Sequence, residues 1–164
     1  LECGMSTLEV KAIQAPTGYD LDMPAGATLQ VVQSVHTTYV NSTSSSFEDT
    51  GLTATITPKF SSSKIMVMVN AHGLSQNGGT AKPELALHGR GSILAYALRP
   101  AYSNGTFVTG SCSINYLDSP NSTSACLYKL QMRTRDGGDS MRYNDYHTGS
   151  ERSSSTITLM EIAG

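Results

Sequence analysis

Apolar and polar side chains alternate with a period of two wherever the pattern of this chain is clear. Leu52, Ala54 and Ile56 interleave with Thr53, Thr55 and Thr57, the signature of a strand with one face in a core and the other in water. From Cys126 to Arg133 the even positions Cys126, Tyr128, Leu130 and Met132 are mainly apolar, while Lys129, Gln131 and Arg133 are polar. This assigns the even face to the interior. Cys112, Ile114 and Tyr116 share that parity on the preceding run. The segment Ile65-Met66-Val67-Met68-Val69 is apolar on both parities. Such a strand needs cover on both sides, from the core on one and from a neighbouring subunit or sheet on the other, which makes Met66 and Met68 candidate oligomer-interface residues.

No ten-residue window carries a sustained 3.6-residue apolar stripe, so helices are not expected. Further strands are predicted at 29–38, 83–88, 92–98, 106–117, 125–134, 140–146 and 156–162. Turn signals separate them: Gln76-Asn77-Gly78-Gly79, Gly89-Arg90-Gly91, Ser103-Asn104-Gly105 and Asp136-Gly137-Gly138-Asp139. The last is the strongest hairpin signal, predicting that the strands on either side of it pair. Many short strands joined this way predict an all-β fold, an antiparallel β-sandwich of jelly-roll type.

Residues 5–28 depart from this pattern. They contain Pro16, Gly18, Pro24 and Gly26 and few apolar residues, too little to bury, so they predict an extended N-terminal arm ordered by another chain. The expected organisation is an arm at 1–28 and a head at 29–164. Leu1 to Gly4 precede Met5, which has the character of a natural start, and read either as an added remnant or as the end of a longer coding frame.

Composition narrows the function classes. Charged residues make up 15% of the 164 and the net charge is -2, so there is no basic field to attract a phosphate backbone and nucleic acid is not an expected partner. No apolar run approaches the ~18 to 20 residues of a membrane helix, and the first residues show no secretory h-region. Cys3, Cys112 and Cys126 are odd in number. The latter two predict small core residues with free thiols in preference to a disulfide.

Catalytic and metal-binding patterns are missing from the sequence. His36, His72, His88 and His147 have no metal-ligand spacing, Asp136 to Asp139 lacks the further carboxylates of a calcium loop, and Gly-x-Ser-x-Gly does not occur. Glu48-Asp49 precedes Gly51 without an apolar pocket evident around it to raise a pKa. The expectation is a binding or structural protein, without cofactor or metal and without turnover. Side chains suited to a sugar, with aromatic faces for stacking and planar polar groups for hydrogen bonds, concentrate at Tyr102 and Asn104 and at Tyr143, Asp145, Tyr146 and His147. These are the candidate ligand-binding residues, assigned to exposed loops.

The opening Met5-Ser6-Thr7-Leu8-Glu9-Val10-Lys11-Ala12-Ile13 resembles the start of phage virion proteins. Leu29 to Gln33, Thr55 to Val69 and the closing Ser153 to Ile162 resemble the jelly-roll heads of phage fibres. The order of segments also resembles the trimeric jelly rolls of the complement C1q and tumour-necrosis-factor type: Pro58 to Val69, then Glu84-Leu85-Ala86-Leu87-His88-Gly89, then Cys126 to Arg133 and a final aliphatic strand. Residues 99–111 are longer and more polar than that pattern. The resemblance implies a homotrimeric fibre or spike head on a virion, held to other virion proteins by its arm and recognising a host-surface glycan. A decoration protein on the capsid lattice is the alternative. Three sequons, at Asn41, Asn104 and Asn121, argue for a further alternative, a secreted C1q-like trimeric module.

Overall fold

Among the described residues the period-two segments form ten strands in two antiparallel sheets. The computed structural model describes residues 23–77, 82–100, 108–135, 139–145 and 152–164. In chain order the strands are β1 (Thr28–His36), β2 (Val40–Ser42), β3 (Glu48–Ile56), β4 (Lys64–Asn77), β5 (Pro83–Gly89), β6 (Ser92–Leu98), β7 (Val108–Asp118), β8 (Cys126–Thr134), β9 (Ser140–Tyr143) and β10 (Ser155–Ile162). No helix occurs among the described residues. One sheet, sheet A, runs β1-β10-β4-β9-β2, with β7 on the other edge of β4. The second, sheet B, runs β3-β8-β5-β6.

The core lies between the sheets, and the alternation read from the sequence fills it. Leu52, Ala54 and Ile56 of β3 and Cys126, Tyr128, Leu130 and Met132 of β8 point inward from sheet B, and Ile65, Val67 and Val69 of β4 with Ile157 and Leu159 of β10 meet them from sheet A. A fully buried aliphatic side chain contributes about 1.5 to 3 kcal/mol, so this layer carries most of the stability. Ile114 is buried while Cys112 and Tyr116 pack against the core margin. Both Cys112 and Cys126 are free thiols.

Strand β10 buries one carboxylate among its apolar inward residues. Glu161 is fully buried and accepts hydrogen bonds from the Gln30 side chain and from the backbone N–H of Lys59 at 2.6 Å. Burial raises its pKa, but these donors, with the Phe60 backbone amide, outweigh it and hold the carboxyl below its ordinary value. The last strand is thereby tied to β1 and to the β3–β4 turn. Hydrogen bonds between Gly26 and Ala163 and between Ala163 and Ala27, both 2.8 Å, extend that tie, so pairing begins before residue 28. The rest of the expected arm, residues 1–22, lies outside the described residues.

The Asp136 to Asp139 signal predicts pairing of the strands that flank it, and here the fold differs. Strand β8 has both edges occupied, by β3 and β5, so β9 has no edge left to pair there. It sits instead between β2 and the distal half of β4 in sheet A. The Gly89-Arg90-Gly91 turn does join a hairpin, β5 to β6, with Arg90 and Gly91 at φ 53° and 81°.

Strand β4 changes partner part-way, from β10 at Lys64–Asn70 to β9 at Ser75–Asn77. An irregularity between Ala71 and Leu74 in its pairing with β7 absorbs the change. Gly73 there has φ +57°, and a Cβ would lie 2.7 Å from the backbone N and O of Asp145. The backbone N–H groups of Asn144 and Asp145 donate to His72 O and Gly73 O at 3.2 and 2.9 Å, docking the residues after β9 onto the bulge.

Candidate functional site

Alternation that fills the core from one side of sheet A leaves the other side facing outward in registered rows. The first row across β1, β10, β4 and β7 is Val31, Met160, Met66 and Leu117. The next is Gln33, Thr158, Met68 and Asn115, followed by Val35, Thr156, Asn70 and Ser113. Val31 and Val35 are each 56% exposed and Leu117 is 49% exposed, while Met66, Met68 and Met160 are half-buried. None of the three rows carries a charged side chain. Their polar groups are partly bonded among themselves: Gln33 Nε2 donates to Thr158 Oγ1 at 2.9 Å and Ser113 Oγ to Asn70 Oδ1 at 2.6 Å. A face depleted of charge with an apolar row is the composition of the centre of a protein contact.

The loop candidates fare differently. Tyr143 is fully buried and Asp145 is 6% exposed, so neither offers a face to a sugar, which corrects their assignment to an exposed loop. The cause is the position of β9 between two strands, which turns Met141 and Tyr143 into the core. Tyr143 stacks on His36 with ring centroids 6.0 Å apart. Asp145 accepts from Ser75 Oγ at 2.6 Å. Tyr102, Asn104, Tyr146 and His147 lie outside the described residues.

Between these residues Asn144, at φ 53° and fully buried, works as a clamp. Its amide donates to His36 O at 2.9 Å and Thr38 O at 3.2 Å, and its Oδ1 accepts from Ser155 Oγ at 2.7 Å. Two segments, residues 36–38 and Ser155, converge on one side chain, which no local pattern in the sequence announces.

Sheet B carries the denser chemistry on its outer face. His88 of β5 registers with Lys129 of β8, and Ala86 registers with Tyr96 of β6 on one side and Gln131 on the other. Phe47, just ahead of β3, lies over this face: its ring is 6.0 Å from Tyr96 and 6.1 Å from His88, with the Arg133 guanidinium 4.3 Å above it. Arg133 also pairs with the buried Glu84 at 2.7 Å. Asp49 accepts from Lys129 at 2.8 Å and from Gln131 at 2.6 Å. Those two bonds hold its carboxyl below the usual range, making it an acceptor at neutral pH. Burial, with the charge of Lys129, lowers the pKa of His88. The sequence offered one signal for this platform, a phenylalanine isolated in the polar stretch Ser42 to Asp49.

Among the described residues no group of three or more His, Cys, Asp or Glu side chains is placed to hold a metal ion. No family model matches the chain, and no curated protein matches it.

Proposed function

We propose that this chain is a virion structural protein, the jelly-roll head of a homotrimeric phage fibre or spike, which attaches the particle to a glycan on the host surface. The strand order β1-β10-β4-β7 facing β3-β8-β5-β6 is the order expected when two Greek keys interleave, and it supports the jelly-roll reading. The observation that carries the assembly reading is the set of three uncharged rows on the outer face of sheet A, the first of them Val31, Met160, Met66 and Leu117. Three copies packed about an axis through this face would remove the row from water at about 25 cal/mol per Å². Sheet B then faces outward in each copy, and the virion contacts fall to the N-terminal segment.

The test is light scattering on the purified protein at micromolar concentration, alone and as Met68→Glu. A trimer that the carboxylate converts to a folded monomer is the expected result, since an unpaired charge in a desolvated contact costs several kcal/mol. A monomeric parent protein, or an unaffected trimer, overturns the assembly reading. Incorporation into particles and cell binding then separate the roles: a trimer that coats capsids and ignores cells is a decoration protein.

A further inference from the structure

Asn144 fixes the protonation state of His36. The Asn144 side-chain nitrogen faces three acceptors, His36 O at 2.9 Å, Thr38 O at 3.2 Å and His36 Nδ1 at 3.2 Å, while its Oδ1 accepts from Ser155 Oγ at 2.7 Å. Turning the amide over would set Oδ1 against two carbonyl oxygens, so its orientation is determined by the backbone around it. The ring nitrogen beside the amide is therefore an acceptor, and the proton of the neutral imidazole sits on Nε2.

A second proton on this ring meets no compensating charge. Tyr143 stacks on the ring, Gly51 lies against its Nε2 edge, and burial lowers the His36 pKa. Among the described residues the carboxylates of the neighbouring elements are engaged elsewhere: Asp145 with Ser75 and Arg142, Glu48 with Ser42, and Asp49 with Lys129 and Gln131. The other titratable groups nearby are Tyr143, whose hydroxyl burial pushes up to about 12, His72, which bonds Ser111 Oγ, and Arg152, which lies over the Tyr39 ring. The segment that Asn144 holds has few other ties. Among the described residues, 37–39 are secured by this amide and by the Arg152–Tyr39 contact at 5.2 Å, β2 pairs with β9 alone over Val40–Ser42, and β9 meets β4 over Ser75–Asn77. The β1–β10, β10–β4 and β3–β8 ladders are much longer.

We propose that His36 is an acid-operated latch: a proton added at Nδ1 sets a second donor against the Asn144 amide, and residues 37–42 lift off β9 while the rest of the sandwich stays folded. The latch is built within one chain and depends neither on assembly nor on attachment. Once the corner opens, the ring regains the ordinary pKa of 6.5, which lies above its value in the closed corner. The open form thus binds the proton first as pH falls. Closure weakens by up to about tenfold per pH unit from about 6.5 down to the closed-state value, and no further below it.

Imidazole nitrogen NMR shifts of the intact protein at about pH 7.5 test the starting state. A bare Nδ1 and a protonated Nε2 at His36 are expected, and the opposite tautomer or an imidazolium there overturns the latch. Amide hydrogen exchange from about pH 7.5 to 5, corrected for the intrinsic pH dependence of exchange, tests the opening. Protection of the β2 amides should fall by up to about tenfold per unit below about pH 6.5, while amides of Val67, Leu130 and Leu159 keep theirs. Flat protection of β2 overturns the proposal, and so does an equal loss in every strand, which is global unfolding. In His36→Gln, whose side-chain oxygen can accept from Asn144 at every pH, β2 protection should no longer depend on pH; a fall as steep as in the parent protein would place the proton on another group and overturn the role of His36. The tautomer and exchange measurements use the parent chain and decide the matter whether or not this variant folds.

Discussion

His36 and Gly51 occupy the same small volume across the two sheets: a Cβ built on Gly51 would lie 2.5 Å from His36 Nε2. Gly51 also has φ +87°, within an irregularity of β3 between Asp49 and Thr53. The glycine lets the histidine ring fold against β3 and stack on Tyr143, locking the edge of the sandwich where β1 leaves sheet A.

Gly51→Ala is therefore expected to destabilise the fold by roughly 2 to 4 kcal/mol, combining backbone strain and overpacking. Urea unfolding measures it. In a His36→Ala background the same change should cost less, because the clash has gone and only the φ penalty remains. Equal costs in the two backgrounds would show that the ring moves aside freely.

Acid should weaken the protein before its carboxylates titrate. Burial lowers the pKa of His36, and burial with the charge of Lys129 does the same to His88, from the ordinary 6.5. The unfolded chain thus binds protons first as pH falls through that value. Stability is complete above about pH 6.5 and declines below it until the folded-state values are passed. Protonation also removes the His36 Nδ1 lone pair that faces the Asn144 amide at 3.2 Å. Melting temperature measured from pH 7.5 to 5 should fall, and His36→Gln should flatten the slope.

Asp118 is 4% exposed and accepts from Arg90 and from Tyr128 Oη at 2.7 Å. Asp118→Ala strands a buried phenol and an arginine, at a cost of about 2 to 4 kcal/mol. Arg90→Ala should cost about 1 kcal/mol or less, because that side chain is 40% exposed and water replaces the pair. Chemical denaturation of the two variants checks the order, and a reversed order would place the weight of the cluster on the arginine.

Burial pushes the Cys112 thiol up to about 11, and Cys126 is raised by the same cause. Two thiols should react with a disulfide reagent at pH 8 only as fast as the chain unfolds. Stability should also fall as pH rises from 9 toward 11, since the unfolded chain loses the Cys112 proton first. Rapid modification of all cysteines in the folded protein would contradict this burial.

Local alternation determined much of this protein without help from the rest of the chain. The parity of Leu52 to Ile56 and of Cys126 to Met132 fixed which side chains enter the core, and the two-sided apolar character of Ile65 to Val69 marked Met66 and Met68 as residues in need of outside cover. These are properties of a single strand, since successive side chains alternate sides whatever the partner. Which strands pair was decided only in the tertiary structure. The Asp136 to Asp139 turn looked like a hairpin until β3 and β5 claimed both edges of β8, and the resulting shift of β9 into sheet A carried Tyr143 and Asp145 from expected loop tips into the interior. The platform on sheet B is of the same kind. Phe47, His88, Tyr96 and Lys129 come from four separate stretches of sequence, brought together by long-range register, and proximity of that kind leaves no periodic trace in the chain.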